Sequence, residues 1–199
     1  MTSIEPLKNI VQELSKIPGI GHKTAQRMAL YLLSIKASEL DYLIEAIKDL
    51  KDNVGFCKRC FYLSYKTDLC THCSDEHRDK NKLCLVSDSK DVLAIEKMGR
   101  YNGIYHVLGG VISPLDGIGP EQLRIKEFLQ RLKTEEIKEI IFALTPSIEG
   151  ETTTMYLTKL LKPLNIQLSQ IAHGIPLGSD LEWADELTLN RAFEGRNIL

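Results

Sequence analysis

Two cysteine pairs, Cys57-Lys-Arg-Cys60 and Cys70-Thr-His-Cys73, constrain this chain more than any other stretch. Each pair holds two residues between its thiols, and nine residues separate the pairs. A C-x2-C turn aims two thiolates at one point, and a second turn completes a tetrahedral four-sulfur shell. That is the ligand set of a structural zinc site, with no coordination position left for water. Disulfide pairing is the competing use of the thiols, and a site with His72 or His77 in place of one sulfur is another. The intervening loop, FYLSYKTDL, is too small to hold a core alone. Zinc is therefore expected to supply much of its folding free energy, on the order of 10 kcal/mol in small zinc peptides.

The rest of the chain divides around this staple. Its 199 residues are 43% hydrophobic and 26% charged, enough for one medium domain with small attachments. A net charge of −2 gives no whole-molecule attraction to a polyanion, so any such contact has to be local or repeated in an oligomer. The start, MTSIEPLKNIVQEL, is charged throughout and lacks a secretory pattern. No apolar run reaches a membrane-spanning length, and five cysteines without a leader point to a reducing cytoplasm. Cys84, in the run LCLV, reads as a buried small hydrophobe.

Before the cysteines, apolar periodicity predicts three helices. Leu7, Ile10, Val11 and Leu14 mark one over about 5–15. A second follows Ile17-Pro-Gly-Ile-Gly21, with Ala25, Met28, Ala29, Leu32 and Leu33 inward. A third, about 38–52, turns Leu40, Leu43, Ile44, Ile47 and Leu50 inward. Two glycines let the backbone approach a phosphate, and the next helix points unbonded N–H groups at the same place. Lys23 and Arg27 can flank that point, and Thr24 can donate a hydroxyl. Residues 8–36 carry five Lys/Arg against one acid, whereas 39–52 carry five acids against two Lys. A P-loop is a poor match, because His22 rather than Gly precedes Lys23 and a helix precedes the turn. The stretch resembles the helix-hairpin-helix family, which grips the sugar-phosphate backbone without reading sequence. We expect the contact residues to be Gly19, Gly21, His22, Lys23, Thr24 and Arg27.

After the cysteines, strand-like and helical runs alternate. Strands are expected at 83–86, 104–108, 140–144 and 166–171. Helices are expected at 91–98, from Pro120 through LRIKEFLQRL, and at about 151–162. This alternation predicts a parallel α/β sheet whose working groups lie beyond the carboxyl ends of its strands. The stretch ALTPSIEGE resembles the Toprim fold of type IA topoisomerases and primases. There an acidic set holds magnesium, but this chain has Ser87, Thr145 and Ser147 at those positions. Glu149 and Glu151 persist, and Glu151 reads as a carboxylate at a helix N-terminus. Asp88 could stand in for the missing Glu only from the opposite face of a continued strand. His106 reads as a hydrogen-bonded core histidine, and His173 as a polar contact at a strand end. The loop Gly109–Gly119 reads at minimum as a turn. The tail reads as single turns whose Leu181, Trp183, Leu187, Leu189 and Phe193 pack on the sheet or on another copy.

The expected architecture is thus multi-part α+β. It comprises a helix-hairpin-helix domain (1–53), a four-cysteine zinc finger (54–77), a Toprim-like parallel-sheet domain (78–175) and a C-terminal packing segment (176–199). The order IPGIGHKTA, C-x2-C-x9-C-x2-C, ISPLDGIGP, ALTPSIEGE, IAHGIPLGSDLEWADELTL and FEGR resembles the RecR family of bacterial recombination mediators over nearly the whole length. The resemblance implies a cytoplasmic, nucleoid-associated protein without catalytic activity. It implies a homo-oligomer, dimer or tetrameric ring, that clamps DNA. It implies RecO, and in some bacteria RecF, as partners in loading RecA on gapped DNA. It implies zinc on Cys57, Cys60, Cys70 and Cys73. A Toprim-type nuclease or topoisomerase using Asp88, Glu149 and Glu151 is the alternative.

Overall fold

The structure, a computed structural model, describes residues 4–172, 174–175 and 178–196. His173 and Pro176 lie outside the described residues. The chain separates into two compact units, Met1–Val54 and Gly55–Leu199.

The first unit holds α1 (Glu5–Ser15), α2 (His22–Ser34) and α3 (Ala37–Asn53). Its core is thin. Val11, Ala25 and Ala29 are the buried residues, with Leu7, Leu14 and Ile20 packed against them. Two alanines on α2 let the α1 and α2 backbones approach closely. The expected inner face was drawn too wide: Met28 and Leu33 are exposed, at 40% and 73%. So are Leu43, Ile44, Ile47 and Leu50, and α3 buries no residue. The apolar periodicity of α3 is real, but two helices of 11 and 13 residues present too little surface to cover a third.

In the second unit β1 (Val54–Phe56) pairs with β2 (Leu63–Tyr65), and α4 (Thr71–Ser74) carries the second cysteine turn. A four-stranded parallel sheet follows, built from β3 (Asp79–Val86), β4 (Gly103–Val107), β5 (Glu139–Ala143) and β6 (Gln167–Gln170). Its order is β4-β3-β5-β6, so the chain runs first to one side of β3 and then to the other. The helices are α5 (Ser89–Met98), α6 (Ile125–Thr134), α7 (Ile148–Leu161) and α8 (Glu186–Glu194).

Residue parity along the strands sorts the two faces. Leu83, Leu85, Ile140 and Phe142 share a core with Phe128 of α6 and with Leu157 and Leu161 of α7. Cys84, Val86, Tyr105 and Val107 share the other core with Val92 of α5 and with the four paired cysteines. The cysteine segment is thus a cover for one sheet face. Burial pushes the Cys84 thiol up to about 12, which keeps it protonated and unreactive.

Three expectations shift. Pro120 opens a 3-10 turn, Pro120–Gln122, rather than α6. Leu123 then turns extended to enter the core, and α6 starts at Ile125. The α7 helix begins at Ile148, because the Ser147 hydroxyl accepts the Gly150 N–H at 3.2 Å. The tail contains a true helix, α8, whose first turn is closed by the Thr188 N–H donating to Asp185 at 2.9 Å. Leu181, Trp183 and Phe193 are exposed in this chain, while Leu189 is half-buried. No helix among the described residues is long and apolar enough to cross a membrane.

Candidate functional site

Three places in the chain carry chemistry, and the cysteines come first. The Cys57 N–H donates to the Tyr62 carbonyl at 2.7 Å, and the Phe61 N–H returns to the Cys57 carbonyl at 2.9 Å. Phe61 takes a left-handed φ of 62° to close this turn. In the second turn the Cys73 N–H donates to the Cys70 carbonyl at 3.1 Å, as α4 begins. The four Sγ atoms lie within 4.8 Å of one another, and all four residues are buried. A tetrahedral site with zinc–sulfur distances of about 2.3 Å needs sulfurs roughly 3.8 Å apart, so the cluster fits. Cys60 and Cys70 approach to 3.4 Å, far beyond a disulfide bond of about 2.05 Å, and all four cysteines are free thiols. Hydrogen bonds from Cys60, Cys70 and Cys73 pull the Cys57 thiol down.

The mixed-ligand alternative is not what forms. His72 is not part of the converging group and lies against Tyr62 and Tyr105, with ring centroids 5.1 and 5.5 Å away. His77 uses its backbone N–H on Asp75 at 2.9 Å and is exposed. Among the described residues the four cysteines are the one group of three or more His, Cys, Asp or Glu whose ligand atoms converge.

That convergence test also applies to the carboxyl ends of the sheet. Ser87 and Thr145 end β3 and β5, where the strand order reverses and open α/β sheets keep their ligands. The Thr145 N–H and hydroxyl both donate to the Ser87 hydroxyl, at 3.1 and 3.3 Å. Ser147 caps α7. A neutral hydroxyl cluster thus occupies this place. Asp88 caps α5, its own N–H donating to the Asp91 carboxylate at 2.8 Å. Glu151 pairs with Arg191 at 3.1 Å. Asp88, Glu149 and Glu151 therefore do not assemble a metal site.

His106, inside β4, is fully buried, as expected of a core histidine. Its Nε2 lies 3.0 Å from the Arg124 carbonyl, which can only accept, so the proton sits on Nε2. Burial drives its pKa down to about 3.

The third place is the turn between α1 and α2. Gly19 has φ +83°, a conformation that favours glycine, and the Ile20 N–H closes the turn onto the Ile17 carbonyl at 3.0 Å. Gly21 is the N-cap of α2, with φ −78° and ψ 163°. It offers no side-chain cap, and the Ala25 N–H is the group that bonds back to its carbonyl. The N–H groups of His22, Lys23 and Thr24 therefore open outward with the positive end of the helix dipole. Gly19, Gly21, His22, Lys23, Thr24 and Arg27 are all exposed at this one end of the unit. His22 lies 3.3 Å from Gln26. Among the described residues Lys23 and Arg27 have no carboxylate partner.

A further constellation has no signature in the sequence, because its parts come from distant segments. The Arg124 guanidinium lies 4.6 Å from the ring centroids of both Phe56 and Phe61.

Comparison with known proteins agrees with this layout. The helix-hairpin-helix family model of RecR matches residues 7–51, the Toprim domain model matches 81–172, and the RecR C-terminal model matches 174–197. The chain is 51% identical to "Recombination protein RecR" of Carboxydothermus hydrogenoformans, covering 98% of each. It is 50% identical to the protein of that name from Synechococcus elongatus, over 98% of this chain and 96% of that one. With Gloeothece citriformis the identity is 51% over the same shares. Three family models in chain order and half-identity over almost every residue leave one conclusion: the chain belongs to the RecR family.

Proposed function

We propose that this chain acts in recombinational DNA repair as a non-enzymatic clamp on DNA, held without regard to sequence by the α1–α2 turn. The observation that carries the reading is Gly21. Its φ is open to any residue, and a Cβ added there would meet nothing within 4 Å. The fold does not require glycine at this position, so its bare backbone is free to serve a group from outside the chain. A phosphodiester backbone approaching an uncapped helix N-terminus between Lys23 and Arg27 is such a group.

One turn makes few phosphate contacts and binds weakly, so repetition in a homo-oligomer, dimer or tetrameric ring, raises the grip. The exposed apolar residues of α2 and α3 support self-association: Leu30, Tyr31, Leu33, Tyr42, Ile47 and Leu50 stand open in the single chain. The cysteine cluster holds structural Zn2+, which would supply rigidity rather than chemistry. The protein works in the cytoplasm, at the nucleoid, with RecO and in some settings RecF, and helps RecA onto gapped DNA. The relatives' name, recombination protein, supports this setting. The neutral Ser87–Thr145 cluster supports a Toprim fold used for assembly rather than cleavage.

Sedimentation velocity with and without gapped duplex tests the clamp. An oligomer that gains mass on DNA of unrelated sequences is the expected result. A solitary protomer that ignores DNA even at low salt would contradict it. Metal-dependent cleavage or relaxation of supercoiled DNA, abolished in Glu149→Ala, would establish the enzyme alternative instead.

A further inference from the structure

Arg124 is held at both its backbone and its side chain. Its N–H donates to the Leu108 carbonyl at 2.9 Å, and its carbonyl accepts the His106 Nε2–H at 3.0 Å. The guanidinium is clasped at 4.6 Å by the Phe56 and Phe61 rings. A Cβ at Gly109 would sit in ordinary contact with its Nη1, at 3.8 Å, which places the guanidinium beside the carboxyl end of β4. Among the described residues no carboxylate pairs with it. The neighbouring cations are balanced differently: Lys58 meets Asp68 at 2.8 Å, and Arg59 and Arg131 share Glu135 at 2.8 Å each. That leaves two uncompensated positive charges around the rings.

A residue serving only to clasp the cysteine turn to the sheet would be better apolar. A fixed guanidinium keeps a planar fork of N–H donors that fits an oxyanion. Phe56 is 57% exposed, so its ring retains surface for a base. Aromatic surface beside an unpaired cation is the combination that single-stranded nucleic acid uses, stacking bases and neutralising phosphates.

We propose that Arg124 and Phe56 form a second nucleic-acid contact, borne by the zinc-bearing unit, for a single strand: a phosphate on the Arg124 fork and a base on Phe56. It shares the nucleic-acid reading above but not its site. A chain with one contact for duplex and another for single strand would suit a gap edge.

The test uses the full, zinc-loaded chain with fluorescein-labelled oligothymidylate and a duplex of mixed sequence, read by anisotropy. Phe56→Leu, which keeps apolar bulk, and Arg124→Gln are made in the parent and in Lys23→Ala/Arg27→Ala. Each is expected to weaken single-strand binding about 5-fold or more in both backgrounds, and duplex binding by less than about 2-fold. Parental single-strand affinity in both variants overturns the proposal, as does an equal loss on the two ligands. Failure of the turn itself reads differently, as unaltered duplex binding by Lys23→Ala/Arg27→Ala.

Discussion

The two units solve the folding problem in opposite ways. Gly55–Leu199 buries a layered core on both faces of its sheet and adds a four-sulfur cluster to one of them. Among the described residues of Met1–Val54 three are buried, and most of the apolar side chains are open. The first arrangement makes a layered platform that the cysteine cluster covers on one face. The second presents an exposed glycine turn on a scaffold that leaves much of its apolar surface uncovered. Buried area, rather than helix content, is what separates the two units.

The sharpest way to break that contrast is to remove the metal. Structural zinc contributes on the order of 10 kcal/mol in small peptides, comparable with the whole stability of a domain. Cys57→Ser is therefore expected to lose metal and unfold the second unit, while helical signal from the first persists. Zinc release to a chromophoric chelator and thermal melting measure both. Full occupancy with an unchanged melting temperature would remove Cys57 from the ligand set.

Acid should act on the second unit through His106. Its folded pKa of about 3 lies below the unfolded value near 6.5, so the unfolded chain binds more protons between those limits. The stability associated with the neutral ring is complete above pH 6.5 and is lost as pH falls toward 3, about 5 kcal/mol in all. The urea midpoint should accordingly fall from pH 7 to 4, and His106→Leu should flatten that dependence. An equal slope in the variant would assign the acid sensitivity to the cysteines instead.

Two glycines sharpen the comparison further. A Cβ on Gly150 would overlap the Thr145 carbonyl oxygen, so Gly150→Ala should cost about 2–3 kcal/mol or more. Gly21→Ala meets nothing and should change stability by less than about 1 kcal/mol, while weakening DNA binding. Denaturation and binding on the same two proteins would separate a glycine used for packing from one used for a ligand. If Gly21→Ala binds like the parent, the turn is only a turn.

The sequence was most legible where the constraint is local. Cysteine spacing specifies a sulfur cluster within 17 residues of chain, and IPGIG specifies a turn within five. Strand positions were legible because a sheet covered on both faces reads as continuous apolar runs such as LCLV and IIFAL. What failed depended on partners. The stripe on α3 shows an apolar face but not whether this chain covers it. Pro120 signals a helix start, yet the core's hold on Leu123 delays the helix to Ile125. Asp185 followed by Thr188 was a usable capping signal for α8, overridden by the turn residues before it. The Arg124–Phe56 stack could not be seen, because nothing local links those two positions.

The central claim is that the exposed turn, and not the larger unit, carries sequence-independent duplex binding. Salt titration of binding to two unrelated duplexes, for the parent and for Lys23→Ala, tests it most directly. The account predicts equal affinities for both duplexes, uniformly weakened by Lys23→Ala, with the log–log salt slope reduced by about one contact per subunit. An unchanged slope and affinity in Lys23→Ala, or a strong preference for one duplex, would contradict it.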